Sequence, residues 1–165
     1  MAYLLLNFDI NPINSSERIV IYKAKTIGIY RVGDFYRTRE NIYSFSKEVS
    51  GMFGLRSEFS IFKNKRFLFK LNLDETGLTN YFEFSYLDQS YKIERYSESF
   101  FINGNGSIRI SKDSNDVLFE LTEIKNNLIF DEGTIKTSLN IEADQFNIFT
   151  MIAFICRAIL TPKNI

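Results

Sequence analysis

The chain has 165 residues, 45% of them hydrophobic, and its 20 Lys and Arg balance 20 Asp and Glu. That length suits one domain, residues 1–165, with a sizeable core, and zero net charge argues against a dedicated nucleic-acid binder, which carries a basic excess. The lack of His removes His-based triads and the commonest general base, and a single Cys rules out an intramolecular disulfide and makes a zinc site unexpected.

The first segment, "MAYLLLNFDINP", has no basic region and only a short apolar run, so it is not a signal peptide and a cytoplasmic location is expected. The 17 Phe and 9 Tyr favour a strand-rich fold. After residue 17 the pattern is mostly period two, as in half-buried strands. "RIVIYKAK" sets Ile19 and Ile21 on one face, and "TIGIYRV" follows at once. "SEFSIFKN" alternates Phe59 and Ile61 with Glu58 and Ser60. "KRFLFKLNL" aligns Phe67, Phe69, Leu71 and Leu73. "NYFEFSYL" aligns Phe82, Phe84 and Tyr86, and "SYKIERY" aligns Tyr91, Ile93 and Arg95. "SIRIS" presents Ile108 and Ile110, and "DVLFELTEI" presents Val117, Phe119 and Leu121.

Turn signals separate these runs at 63–66, 74–77, 87–90, 103–106, 112–116, 125–127 and 131–133. Their Gly, Asn and Asp residues tolerate the backbone angles of tight hairpins. The stretch 48–56 is the least regular, its glycines marking a loop or a bend. Strands at roughly 8–12-residue spacing predict an antiparallel barrel or sandwich, with strands over about residues 3–139.

The period then changes. "EADQFNIFTMIAFICRAIL", residues 142–160, has almost no polar face as a helix, and such a helix must be buried in a core or in lipid. Asn140 is positioned to cap it, Glu142 and Asp144 suit the positive end of its dipole, and Arg157 suits the negative end. Pro162 stops it. Cys156 lies inside this run and reads as a small buried hydrophobe rather than a reactive thiol. A bilayer-spanning helix wants about 20 apolar residues. The uninterrupted run is shorter and contains Arg157, so a tail anchor is the weaker reading.

A helix over about residues 141–160 would be roughly 30 Å long. Strands of seven to nine residues tilted by about 40° make a barrel on the order of 20 Å tall. Twelve strands give a radius near ~12 Å, enough for a helix with side chains between it and the wall, whereas eight give only about 8 Å. The expected fold is therefore mainly β: a closed antiparallel barrel of about 12 strands around a central hydrophobic C-terminal helix. Arg157 is expected at the helix exit, reaching solvent or an acid.

The succession "RFLFKLNL", "SYKIERYSESFFING", "NGSIRISKD" and "NDVLFELTEIK", followed by "LIFDEGTIKTSLNIEADQFNIFTMIAFICRAIL", resembles the tubby C-terminal-like fold. That fold is shared by tubby proteins, phospholipid scramblases and the LURP-one-related family. The resemblance covers residues 65–160 and is one of pattern. It implies a barrel with an inner helix, with phosphoinositide headgroups bound by surface Lys and Arg in the tubby branch and membrane association in the scramblase-like branch. No individual headgroup residue transfers to this chain.

Chemistry is sparse. "NGNGS" at 103–107 reads as a hairpin turn, not a phosphate loop. The acid pairs Asp74–Glu75 and Asp131–Glu132 read as solvated turn residues. No catalytic residue, metal or cofactor is expected, and the chain reads as a non-enzymatic module. Three basic groups remain: Lys63, Lys65 and Arg66, flanked by Phe62 and Phe67; Arg37 and Arg39, beside Phe35 and Tyr36; and Lys23 and Lys25. Basic tips with neighbouring aromatics suit anionic phospholipid headgroups at a membrane surface. They also suit ordinary edge charges that oppose aggregation. The expected partner is anionic membrane lipid, with another protein, as in a regulatory or immunity-type module, as the alternative. Convergence of the groups on one side of the barrel would favour binding.

Overall fold

The computed structural model describes residues 2–50, 56–74, 81–97, 106–112, 116–124, 132–157 and 163–164. In chain order the strands are β1 (Tyr3–Ile10), β2 (Glu17–Tyr22), β3 (Lys25–Arg31), β4 (Phe35–Arg37), β5 (Ile42–Ser50), β6 (Arg56–Lys63) and β7 (Arg66–Asp74). β8 (Tyr81–Tyr86), β9 (Gln89–Ser97), β10 (Gly106–Lys112), β11 (Asp116–Ile124) and β12 (Glu132–Ser138) follow. Helix α1 (Ala143–Arg157) and the two-residue β13 (Lys163–Asn164) complete the chain.

Consecutive strands from β1 to β7 and from β8 to β12 pair as antiparallel neighbours, and β1 also pairs β12. The result is a twelve-stranded, nearly closed antiparallel barrel, as expected, with β13 added in parallel beside the end of β9. The seam lies between β7 and β8, which are neighbours without a ladder. Rings close it from inside: Phe69 of β7 stacks on Phe84 of β8 at 5.5 Å and tilts against Tyr86 at 5.3 Å.

Helix α1 fills the barrel. Its 15 residues span about 22 Å at 1.5 Å each, close to the height of the wall. Asn147 to Cys156 are all buried. Phe149 meets Phe84, Tyr91 and Phe119 at 5.2–6.2 Å, and Phe154 meets Phe8 and Tyr30 at 5.3 and 4.7 Å. Wall rings thus reach the helix from β1, β3, β8, β9 and β11, which is where the abundant Phe and Tyr go. Cys156 is fully buried, and burial raises its thiol pKa, so it stays a protonated hydrophobe.

Several local expectations change. The helix begins at Ala143, so Glu142, not Asn140, takes the cap position. The Glu142 N–H donates to Gln145 Oε1 at 3.1 Å, one half of a capping box, while the Asn140 N–H donates to Ser138 Oγ. In β2 the buried apolar residue is Val20, and Ile19 and Ile21 are only half-buried. β4 and β5 stand where no strand was singled out. The irregular stretch 48–56, the turns expected around 74–77, 103–106, 112–116, 125–127 and 131–133, and the stop at Pro162 lie wholly or partly outside the described residues.

Phe67 does not share a face with Phe69 and Leu71. The β6–β7 register slips by one after Ile61, leaving Leu68 as a bulge residue, and this turns Phe67 outward against Phe62 at 6.0 Å. The same slip occurs in β2–β3, leaving Ile27 extra, and in β10–β11, leaving Leu118 extra.

Candidate functional site

Antiparallel pairing all round fixes which turns share an end. β12 ends where β1 begins, and from there every second connection returns to the same rim. This upper rim, where α1 begins, carries the β2–β3 turn at 23–24, the β4–β5 turn at 38–41, the β6–β7 turn at 64–65 and the β8–β9 turn at 87–88. All three basic groups therefore lie on one rim. Across the arc from β2 to β7, segments 22–26, 36–43 and 61–68 hold Lys23, Lys25, Arg37, Arg39, Lys63, Lys65 and Arg66 against one acid, Glu40. Elsewhere on this rim, among the described residues, Asp88 and Asp116 stand with Lys112 and Lys136, while the acids of the helix start lie against the basic arc, Asp144 on Lys63 and Glu142 beside Tyr22 and Ile27.

Hydrogen bonds join two of the groups. Asn64 Oδ1 accepts the Ile42 N–H at 2.9 Å, Asn64 Nδ2 donates to Asn41 Oδ1 at 2.9 Å, and the Asn64 N–H donates to the Ile42 carbonyl at 2.7 Å. The Arg37–Arg39 turn and the Lys63–Arg66 hairpin are thereby held side by side. Arg37 also lies over the Phe35 ring at 5.6 Å, a cation–π contact that leaves its outer edge to solvent.

The turns are tight. Lys23 and Ala24, Asn64 and Lys65, and Leu87 and Asp88 all have positive φ, between 50° and 69°, as type I′ hairpin turns require. Only Asn64 and Asp88 are residue types that favour this region. "YKAK" gave no turn signal for that reason, and the β2–β3 hairpin was hidden inside one apparent strand. Apolar side chains stand at the same level: Ile42 is 50%, Phe67 52% and Leu87 72% exposed.

Lys63 differs from the other six cations. It lies opposite Tyr43 in the β5–β6 register, so both side chains take the inner face. Lys63 Nζ donates to Asp144 Oδ2 at 2.7 Å, and Tyr43 Oη donates to Asp144 Oδ1 at 2.5 Å. Asn147 Nδ2 donates to Tyr43 Oη at 3.2 Å. Burial, then the bond to Asp144, pushes the Tyr43 hydroxyl up to about 12, while Lys63 and then Tyr43 hold the Asp144 carboxyl below its ordinary range. On the far side Gln145 Nε2 donates to Tyr91 Oη at 2.9 Å. The helix start is thus tied to β5, β6 and β9, and Lys63 serves as a structural tie. The other basic groups are exposed, except that Lys23 leans over the Tyr22 ring.

Among the described residues no group of three or more Cys, Asp or Glu is placed to hold a metal ion. No helix there is long and apolar enough to cross a membrane. The acid pairs Asp74–Glu75 and Asp131–Glu132 and the turn at 103–105 lie wholly or partly outside the described residues. Compared with known proteins, the chain matches no family model, no curated protein and no solved structure.

Proposed function

We propose that the protein is a non-enzymatic binding module that seats its upper rim on anionic phospholipid headgroups at the cytoplasmic face of a membrane. The observation carrying this reading is the arrival of Lys23, Lys25, Arg37, Arg39, Lys65 and Arg66 on one arc of one rim, where the turn segments hold one acid, Glu40. A basic patch near an anionic leaflet gains about 1 kcal/mol per Lys or Arg. Exposed Ile42, Phe67 and Leu87 stand among or beside these cations, where a shallow apolar insertion adds to the attraction. The barrel wound around a C-terminal helix supports kinship with the tubby C-terminal-like proteins, which is part of the proposal.

The test is sedimentation with neutral vesicles and with vesicles containing phosphatidylglycerol or phosphoinositide, at low and moderate salt. Binding to anionic vesicles alone, weakened by salt, is expected. Charge reversal at Arg37 and Arg39, or at Lys65 and Arg66, should abolish most of it, whereas Lys63→Ala should change it little because that ammonium sits on Asp144. Equal partitioning to neutral and anionic vesicles would overturn the reading.

A further inference from the structure

A cleft of about 220 Å³ opens beside the helix at the upper rim. Leu4 and Leu6 of β1, Tyr22 of β2, Ile27 of β3, Ile141 and Phe146 form most of its wall, and among the described residues its one carboxylate is Glu142. Its origin is in the fold. The helix leans toward β4, β5 and β9 to β11. On the β1–β3 side, Phe154 between Phe8 and Tyr30 fills the lower half. Higher up, the wall residues that face the helix are mostly shorter aliphatic chains, and a gap remains.

Two cations neighbour Tyr22, a wall residue of this gap. Lys25 lies opposite Tyr22 in the β2–β3 register, so the two side chains take the same face of the sheet. Lys23 Nζ lies 5.3 Å from the centroid of the same Tyr22 ring. An apolar slot with Lys23 over its wall tyrosine and Lys25 opposite that tyrosine in register suits a molecule with an apolar chain and an anionic head. A dry apolar cavity of about 150 Å³ takes a benzene ring, so this one accepts a segment of alkyl chain rather than a whole lipid. Glu142 at the lip is outnumbered by the lysines.

The geometry points to a binding site for one acyl chain of an anionic amphiphile, with the chain in the cleft and the headgroup at Lys23 and Lys25. Only the placement of the headgroup rests on the anionic-rim reading. The source of the chain is either a free amphiphile, such as a fatty acid, or a lipid still in its bilayer.

The probe is a series of n-alkyl phosphates from hexyl to dodecyl, titrated calorimetrically below their micelle-forming concentrations. Each added methylene should tighten binding about fourfold until the cleft is full, then no further. Ala143 lines the cleft at the exposed first position of the helix, and Ala143→Phe should weaken decyl phosphate binding about tenfold. The double variant Lys23→Gln, Lys25→Gln should weaken decyl phosphate about threefold and leave decyl glucoside unchanged. Affinity that does not rise with chain length overturns the proposal without need of any variant. So does decyl glucoside binding as tightly as decyl phosphate.

Anionic-vesicle sedimentation judges the rim separately. Vesicle binding without chain-length dependence removes the cleft site and leaves the rim. Chain-length dependence without vesicle binding removes the membrane reading and assigns the cleft to a free amphiphile. Loss of both in Ala143→Phe identifies the bilayer lipid as the source.

Discussion

Each rim of the barrel holds an ion pair between helix and wall, and the two pairs live in different media. At the lower rim Arg157 Nε lies 3.2 Å from Glu123 Oε1, with side chains only 15% and 12% exposed. At the upper rim Lys63 Nζ lies 2.7 Å from Asp144 Oδ2, with side chains 30% and 39% exposed. The shorter pair is the wetter one. Water covers the loss of a partner above, whereas below a stranded charge is largely shut off from it. Arg95 sharpens the contrast. It projects into the lower end of the barrel, where burial disfavours its charged form while Glu123 supports it. Arg95 and Arg157 are held inside the lower rim near Glu123, whereas the upper rim presents most of its cations outward. Distance alone does not rank electrostatic contributions; exposure does.

The largest expected effects fall toward the lower end. Phe154→Ala removes the ring between Phe8 and Tyr30 and should cost about 3–5 kcal/mol in urea unfolding; a loss below about 1 kcal/mol would mean that the helix does not depend on that contact. Glu123→Gln should cost about 3 kcal/mol, because Arg157 and Arg95 are left without their shared acid. The matching upper-rim change, Lys63→Ala, should cost only about 0.5–1 kcal/mol. Equal losses from these two variants would break the comparison.

Asp144 gives the contrast a pH signature. Its folded carboxyl titrates below the unfolded value, with Lys63 the first cause and Tyr43 the second. Its stabilisation is therefore complete above the ordinary carboxylate range of about 4 and is lost as pH falls through the lowered folded value. Asp144→Asn should flatten that stretch of the stability curve, and an unchanged acid limb in the variant would refute the tie. The smallest effect is a gain. Lys65→Gly relieves a lysine at φ 69° and should raise stability by about 0.5–1 kcal/mol, or about 1–4 °C in melting temperature. A loss would show that the Lys65 side chain contributes more than its backbone angle costs.

Most of the inner face was legible along the chain. Phe59 with Ile61, Phe82 with Phe84, Ile108 with Ile110 and Phe119 with Leu121 alternate and are buried as their spacing indicates. The misread positions have local causes. Phe67 sits past a bulge, and a one-residue slip reverses every side chain beyond it. The turn at Lys23 and Ala24 carries no residue that favours positive φ. β4 is three residues long, too short for a period to show. The cleft carried no signal at all, because it is a gap left by how Phe154 and the shorter residues around it fill one side of the barrel.

The sequence by itself determined the class of fold: alternating strands with hairpin turns, an all-apolar helix, and a strand number wide enough to enclose it. These follow from periodicity and size, which are local or additive properties. Only the tertiary structure decided that three basic groups up to about forty residues apart meet on one rim, that Lys63 turns inward to Asp144, and that Arg157 finds Glu123. Those outcomes depend on register and on the parity of strand number around the barrel. Both are set by the whole hydrogen-bonded circuit rather than by any segment of it.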